Sequence, residues 1–197
     1  MTDFSADWLR QRFLSRESGS GFQTATVCVD PYLVPAAVLV PIVQRPESLT
    51  VLLTERTAHL RDHAGQVSFP GGRSEPADFS PVATALREAH EEVGLDAARV
   101  EVLGMLDEYR TGTGFAVRPV VGLVTPPLHL KLDEFEVAGV FEPPLEFLLQ
   151  ATNFSRQPFE HGGVVREYWT VPWQGRHIWG ATAAMLVRLR EFLLNGM

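Results

Sequence analysis

Residues 69–95 read FPGGRSEPADFSPVATALREAHEEVGL, a glycine pair followed by a helix-forming run with three glutamates near its end. Ser80 suits the N-cap, and Pro81 suits the first helical position, where no N–H is needed. Gly94 reads as the C-terminal cap, because glycine enters the left-handed conformation without a Cβ clash. At 3.6 residues per turn, Glu88, Glu91 and Glu92 share an arc of roughly 100°. Val82, Leu86, Ala89 and Val93 cluster within roughly 60° on the far side, a stripe that suits a core. The helix is therefore expected to be anchored by one face and to present a dense acidic patch on the other.

That patch is unfavourable in isolation. All three carboxylates lie in the last two turns, where the helix dipole disfavours anions. Glu88 and Glu92 also form a like-charge i,i+4 pair. Arg87 can pair with Glu91, but one cation does not balance three anions. One reading is a solvated, glutamate-rich face. The other is a site for a hard divalent cation with oxygen ligands, Mg²⁺ or Mn²⁺, and this one accounts for the clustering.

The segment resembles the Nudix hydrolase box: glycine, five residues, glutamate, seven residues, then Arg-Glu-apolar-any-Glu-Glu-any-Gly-apolar. Arg87 to Leu95 match its second half position for position. In the first half, Asp78 stands where the box has glutamate, and its spacing to Arg87 is one residue longer. That departure resembles the coenzyme A diphosphatase branch of the family. So does the upstream block Leu52-Leu53-Thr54-Glu55-Arg56 followed by residues 60–72, LRDHAGQVSFPGG. Asp133-Glu134, Glu136-Val137, Val140-Phe141-Glu142 and Trp179 to Ala183 are similar to later parts of the same branch.

The resemblance implies an α+β fold, an α/β/α sandwich with a mixed sheet flanked by helices. It implies Mg²⁺ or Mn²⁺ held by Glu88 and Glu92, with Glu91 as a further ligand or base and Arg87 orienting the glutamates. Glu136 is the leading candidate for a remote base, with Asp107, Glu108, Asp133, Glu134 and Glu142 in competition. Gly71 and Gly72 are expected to bring backbone N–H groups close to the metal or the phosphate, a plain tight turn being the alternative. Asp78 is expected to be structural, or an Asx-type loop cap. Arg56, Arg61 and His63 are candidates for phosphate contact, and Phe69 and Trp179 for aromatics beside the substrate. His90 points away from the glutamates by helix angle. The implied reaction is hydrolysis of the diphosphate bond of coenzyme A and acyl-CoA, giving 3′,5′-ADP and 4′-phosphopantetheine or its acylated form. The alternatives are hydrolysis of other nucleoside diphosphate conjugates such as ADP-ribose or NADH, and a Nudix-fold nucleotide-binding module without turnover.

Composition fits this and excludes other classes. The chain has 197 residues, enough for one domain with a full core, residues 1–20 forming a helical N-terminal extension. Its net charge of −7 argues against a nucleic-acid surface. The expected partner is a small-molecule nucleotide, coenzyme A; monomer and homodimer both remain open. The single cysteine, Cys28, rules out a disulfide framework. The longest mostly apolar run, Val34 to Val43, is split by Pro35 and Pro41 and falls short of the ~20 residues of a membrane span. No signal-peptide pattern opens the chain, so a cytoplasmic, bacterial protein is expected. All cations but Lys131 are arginines, which hold phosphates bidentately.

Periodicity places helices over 4–15 and 181–194, a glycine-containing linker over 19–21, and strands over 36–43, 49–54, 100–106, 115–124 and 164–171.

Overall fold

A computed structural model of the chain describes residues 4–17, 32–59, 65–162 and 164–195. The chain begins with α1 (Ala6–Glu17), β1 (Val34–Gln44), β2 (Leu49–Val51), β3 (Leu53–Arg56), β4 (Val67–Ser68) and β5 (Gly71–Arg73). It continues with α2 (Pro81–Val93), β6 (Val100–Met105), β7 (Tyr109–Arg110), β8 (Phe115–Val124), β9 (Val137–Phe141) and α3 (Leu145–Leu149). It closes with β10 (Ser155–His161), β11 (Val164–Trp173), β12 (Arg176–Trp179) and α4 (Gly180–Leu194). Cys28 and the linker predicted at 19–21 lie outside the described residues.

The central sheet runs β2-β1-β8-β6, with β5 on β1 and β7 on β8. β1 and β8 are parallel from Val34 opposite Phe115 to Val43 opposite Val124, and the remaining pairings are antiparallel, so the sheet is mixed. Side chains alternate between the two faces of a strand. On β1, Ala37, Leu39 and Val43 pack with Ala85, Ala89 and Val93 of α2. Ala36, Val40 and Ile42 join the opposite core with Met185, Leu186 and Leu189 of α4. Both faces are covered, which is why β1 and β8 are apolar almost throughout. The α/β/α sandwich with a mixed sheet expected from the sequence is the observed architecture.

The strand expected over 49–54 is two strands. Leu52 turns its N–H to Pro41 O at 3.0 Å, and the chain then leaves the central sheet. β3 pairs instead with β4 and β9 in a separate sheet of order β4-β3-β9. A third sheet, β10-β11-β12, contributes Val171 and Ile178 to the main core.

The N-terminal helix belongs to that core. Phe13 meets Phe192 of α4 with ring centroids 4.5 Å apart. Phe13 also presses on β6 at Gly104, where an added Cβ would lie 2.8 Å from its ring. No helix among the described residues is long and apolar enough to cross a membrane.

Candidate active site

α2 is delimited as its sequence predicts. Ser80 Oγ accepts the Ala83 N–H at 3.2 Å, and Gly94 closes the helix at φ 68°. Its acidic side, however, does not face open water. Strand β5 pairs with β1 at Val38–Gly71 and Ala37–Gly72, and that pairing lays the glycine pair across the glutamates. The glycines allow this close approach: a Cβ at Gly72 would sit 2.6 Å from the Glu88 carboxyl atoms, and one at Gly71 would sit 2.5 Å from Ala37 O. The glycine pair therefore forms a short strand under the helix, and the tight-turn alternative is set aside.

Burial sorts the three glutamates. Glu92 is only 6% exposed, and its Oε2 accepts one backbone N–H, from Gly71 at 3.3 Å. Burial pushes its carboxyl up to about 8; Gly71 N–H and the nearby Arg56 oppose that rise, while Glu88 and Glu136 add to it. Glu88 is raised in the same way, by burial first, with Glu91 and Glu136 adding to it and Arg87 opposing. Glu91 alone projects outward, 56% exposed.

Arg87 organises this face. Its Nη1 donates to Glu88 Oε1 and to Glu91 Oε2, both at 2.9 Å. Its other edge grips Asp78, Nε to Oδ1 at 3.2 Å and Nη2 to Oδ2 at 2.9 Å, and Nη2 also donates to Arg73 O at 3.0 Å. Asp78 in turn accepts the Glu75 N–H at 2.9 Å and the Thr84 hydroxyl at 3.0 Å. The Arg87 guanidinium, these two donors adding, holds the Asp78 carboxyl well below the usual carboxylate range. Asp78 is thus both the loop brace and the anchor of Arg87. Sequence reasoning gave no role to Thr84, although a fully buried threonine on a core-facing helix asks for a partner.

Glu136 reaches the cluster from the segment before β9. Asp133 N–H donates to Glu92 O at 2.9 Å, and Glu136 N–H donates to Asp133 O at 3.0 Å. This tie brings the Glu136 carboxylate close enough to act on both Glu88 and Glu92. Arg56, at the end of β3, acts on Glu92 from the same side, and its buried Nε has no hydrogen-bond partner among the described residues.

The remaining candidates separate. Arg61 and His63 lie outside the described residues. Phe69 is 2% exposed and packs in the main core. A short apolar residue pattern before the glycines gave no means of telling a core ring from a site ring. Trp179 is 40% exposed at the start of α4, edge-to-face with Tyr168 at 5.6 Å on the β10-β11-β12 sheet.

Among the described residues no three acidic, histidine or cysteine side chains form a ready coordination sphere. The donor chemistry nonetheless fits a hard cation. Two carboxylates are withdrawn from water with too little positive charge beside them, and a glycine without side chain leaves the space against Glu88 open. Glu88 and Glu92 would hold such an ion, with Glu91 joining on release from Arg87.

Comparison with known proteins places this geometry. The model of the NUDIX domain matches residues 33–162. The chain is 47% identical over 156 residues to the "Uncharacterized Nudix hydrolase NudL" of Yersinia enterocolitica, covering 79% of this chain and 80% of the relative. It is 44% identical over 154 residues to the protein of the same name from Enterobacter, covering 78% and 80%. In fold it is similar to the NUDIX domain of Shewanella oneidensis NrtR complexed with ADP ribose, at TM-score 0.51 and 18% identity, covering 91% of this chain and 97% of that one. The chain belongs to the Nudix hydrolase family.

Proposed function

We propose that the protein hydrolyses the diphosphate bond of coenzyme A and acyl-CoA thioesters, releasing 3′,5′-ADP and 4′-phosphopantetheine or its acylated form. The observation that carries this reading is the location of the block resembling the coenzyme A branch. It builds β3, β4 and β5, and it supplies both the Gly71 N–H on Glu92 and the Arg56 charge beside it. Arg56, Gly71 and Gly72 of that block therefore stand beside the acidic pair.

A bound Mg²⁺ or Mn²⁺ would polarise a phosphoryl oxygen and ready a water at neutral pH. Glu88 and Glu92 are the residues to hold it. Arg87, fixed by Asp78, sets the orientation of Glu88 and Glu91. Arg56 presents a guanidinium beside Glu92, a group suited to a phosphate oxygen. Glu136 accepts the proton of the attacking water, Glu91 being the other carboxylate with access to it. As the water oxygen bonds to phosphorus, the bridging P–O bond breaks and its electrons leave with the departing phosphate.

ADP ribose, bound by the Shewanella domain, is also a nucleoside diphosphate conjugate, but that likeness carries the fold and not the ligand. The test is mass spectrometry of products from coenzyme A, dephospho-coenzyme A, an acyl-CoA, ADP-ribose and NADH, each with Mg²⁺, Mn²⁺ or EDTA. Metal-dependent release of 3′,5′-ADP, with dephospho-coenzyme A much poorer, is the expected result. Preference for ADP-ribose or NADH would overturn the substrate and keep the chemistry. Absence of any turnover would favour a binding module.

A further inference from the structure

Both peptide units that flank the Glu136 Cα are held by Thr57 and Asp133. Thr57 Oγ1 donates to Phe135 O at 2.7 Å, and Thr57 N–H donates to Glu136 O at 3.0 Å. From the other side, the N–H groups of Glu136 and Val137 both donate to Asp133 O, at 3.0 and 2.8 Å. All four polar groups of these two peptides are therefore satisfied, which fixes the backbone angles that set the direction of the Glu136 side chain. The pairing of β3 with β9 also slips here: Glu55 faces Gly139, whereas Arg56 faces Val137. An irregularity of this kind re-aims the residues beside it. Thr57 is only 7% exposed, so water does not readily replace its hydroxyl.

We propose that Thr57 is a positioning residue: it holds the segment carrying Glu136 so that this carboxylate stays at the Glu88–Glu92 pair. Thr57 touches no reacting atom and acts only through Glu136. This rests on the reading of Glu136 as a working member of the site. Valine in place of Thr57 keeps shape but removes the donor, leaving Phe135 O unpaired and the peptide before Glu136 held only through its N–H on Asp133 O. Serine keeps the donor.

The test is a double-mutant cycle of Thr57→Val with Glu136→Gln, with Thr57→Ser as the rescue. It is read on whichever diphosphate of the substrate panel the wild type hydrolyses, so that an error in the coenzyme A assignment shows in the panel and not in the cycle. Thr57→Val is expected to lower kcat roughly ten- to a hundredfold with little change in KM, and Thr57→Ser to restore it. In the Glu136→Gln background Thr57→Val should cost nothing further. A destabilised fold would not give that result, because its loss would persist in both backgrounds. The same cycle read as Mn²⁺ affinity by electron paramagnetic resonance needs no turnover: the valine variant should weaken binding only while Glu136 carries its charge. Equal losses in both backgrounds, a harmless Glu136→Gln, or a harmless Thr57→Val would each overturn the proposal.

Discussion

Arg87 and Asp78 meet edge to edge, two guanidinium nitrogens on two carboxylate oxygens at 3.2 and 2.9 Å, across the turn that precedes α2. The pair sits beside half-buried Glu88 and leaves Arg87 Nη1 to hold Glu88 and Glu91. A fork fixed at one edge orients whatever its other edge touches. Asp78 therefore governs the acidic site from a distance, although it is the position where this chain departs from the glutamate of the usual box.

Asp78→Asn should keep the shape and lose the charge. Arg87 then loosens, and kcat is expected to fall on the order of 10–100-fold, as for other residues that orient ligands. The variant also carries a signature in pH. A carboxyl depressed in the folded protein contributes stability that is complete above its unfolded value, about 3.9, and is lost as pH falls towards the folded value. Thermal unfolding followed below about pH 4 should thus show a shallower acid loss in Asp78→Asn than in the wild type. Identical acid limbs would contradict the anchoring role.

Glu92 has the opposite sign. Its carboxyl is raised to about 8, so the folded metal-free protein holds a proton that the unfolded chain has released. Stability from this group is full below the unfolded value of about 4.3 and falls as pH rises towards 8. Glu92→Gln removes the buried charge. The metal-free variant should unfold at a higher temperature than the wild type at pH 8 to 9 and lose the stabilisation that Mn²⁺ gives. Differential scanning fluorimetry with EDTA or Mn²⁺ reads both, and a wild type more stable than Glu92→Gln at pH 9 without metal would contradict the burial argument.

The glycine pair gives a graded contrast. At Gly72 an added methyl first meets the end of the Glu88 side chain, which can move aside. Gly72→Ala is expected to leave the unfolding midpoint nearly unchanged while lowering metal-dependent turnover about tenfold or more. At Gly71 the methyl meets the backbone of Ala37 and Val38 at 2.5 Å, which cannot move without disturbing β1. Gly71→Ala should cost about 1–3 kcal/mol of stability, measured by urea unfolding. Loss of stability at Gly72 equal to that at Gly71 would contradict the assigned neighbours.

The N-terminal helix should matter for stability and not for chemistry. Phe13→Ala removes a buried ring between β6 and α4 and should cost about 3–5 kcal/mol. The specific activity of the remaining folded protein should match the wild type. A changed KM with unchanged stability would instead place α1 at the substrate.

The helix α2 was legible because its signals are local. Ser80, Pro81 and Gly94 fix its ends, and the three glutamates fall on one side by arithmetic. That side proved to be covered, because β5 reaches it through pairing with β1, a contact between residues about 35 apart that no local period encodes. The split at Leu52 escaped for the same reason: an apolar run does not reveal which sheet each half joins. Phe69 lies in the main core, a placement that residue type alone does not reveal. Thr57 carried no signal at all, since its partner Phe135 is 78 residues away. Residue type and spacing single out candidate chemical groups, whereas the residues that hold them in place act through contacts that only the fold creates.

The most direct test of the account follows coenzyme A by mass spectrometry with wild type and Glu92→Gln side by side, each with Mn²⁺ and with EDTA. The wild type with Mn²⁺ should release 3′,5′-ADP and 4′-phosphopantetheine, and the other three conditions should release almost none. Equal product from Glu92→Gln, or from the wild type in EDTA, would contradict the claim that the buried glutamates of α2 hold the metal for diphosphate hydrolysis.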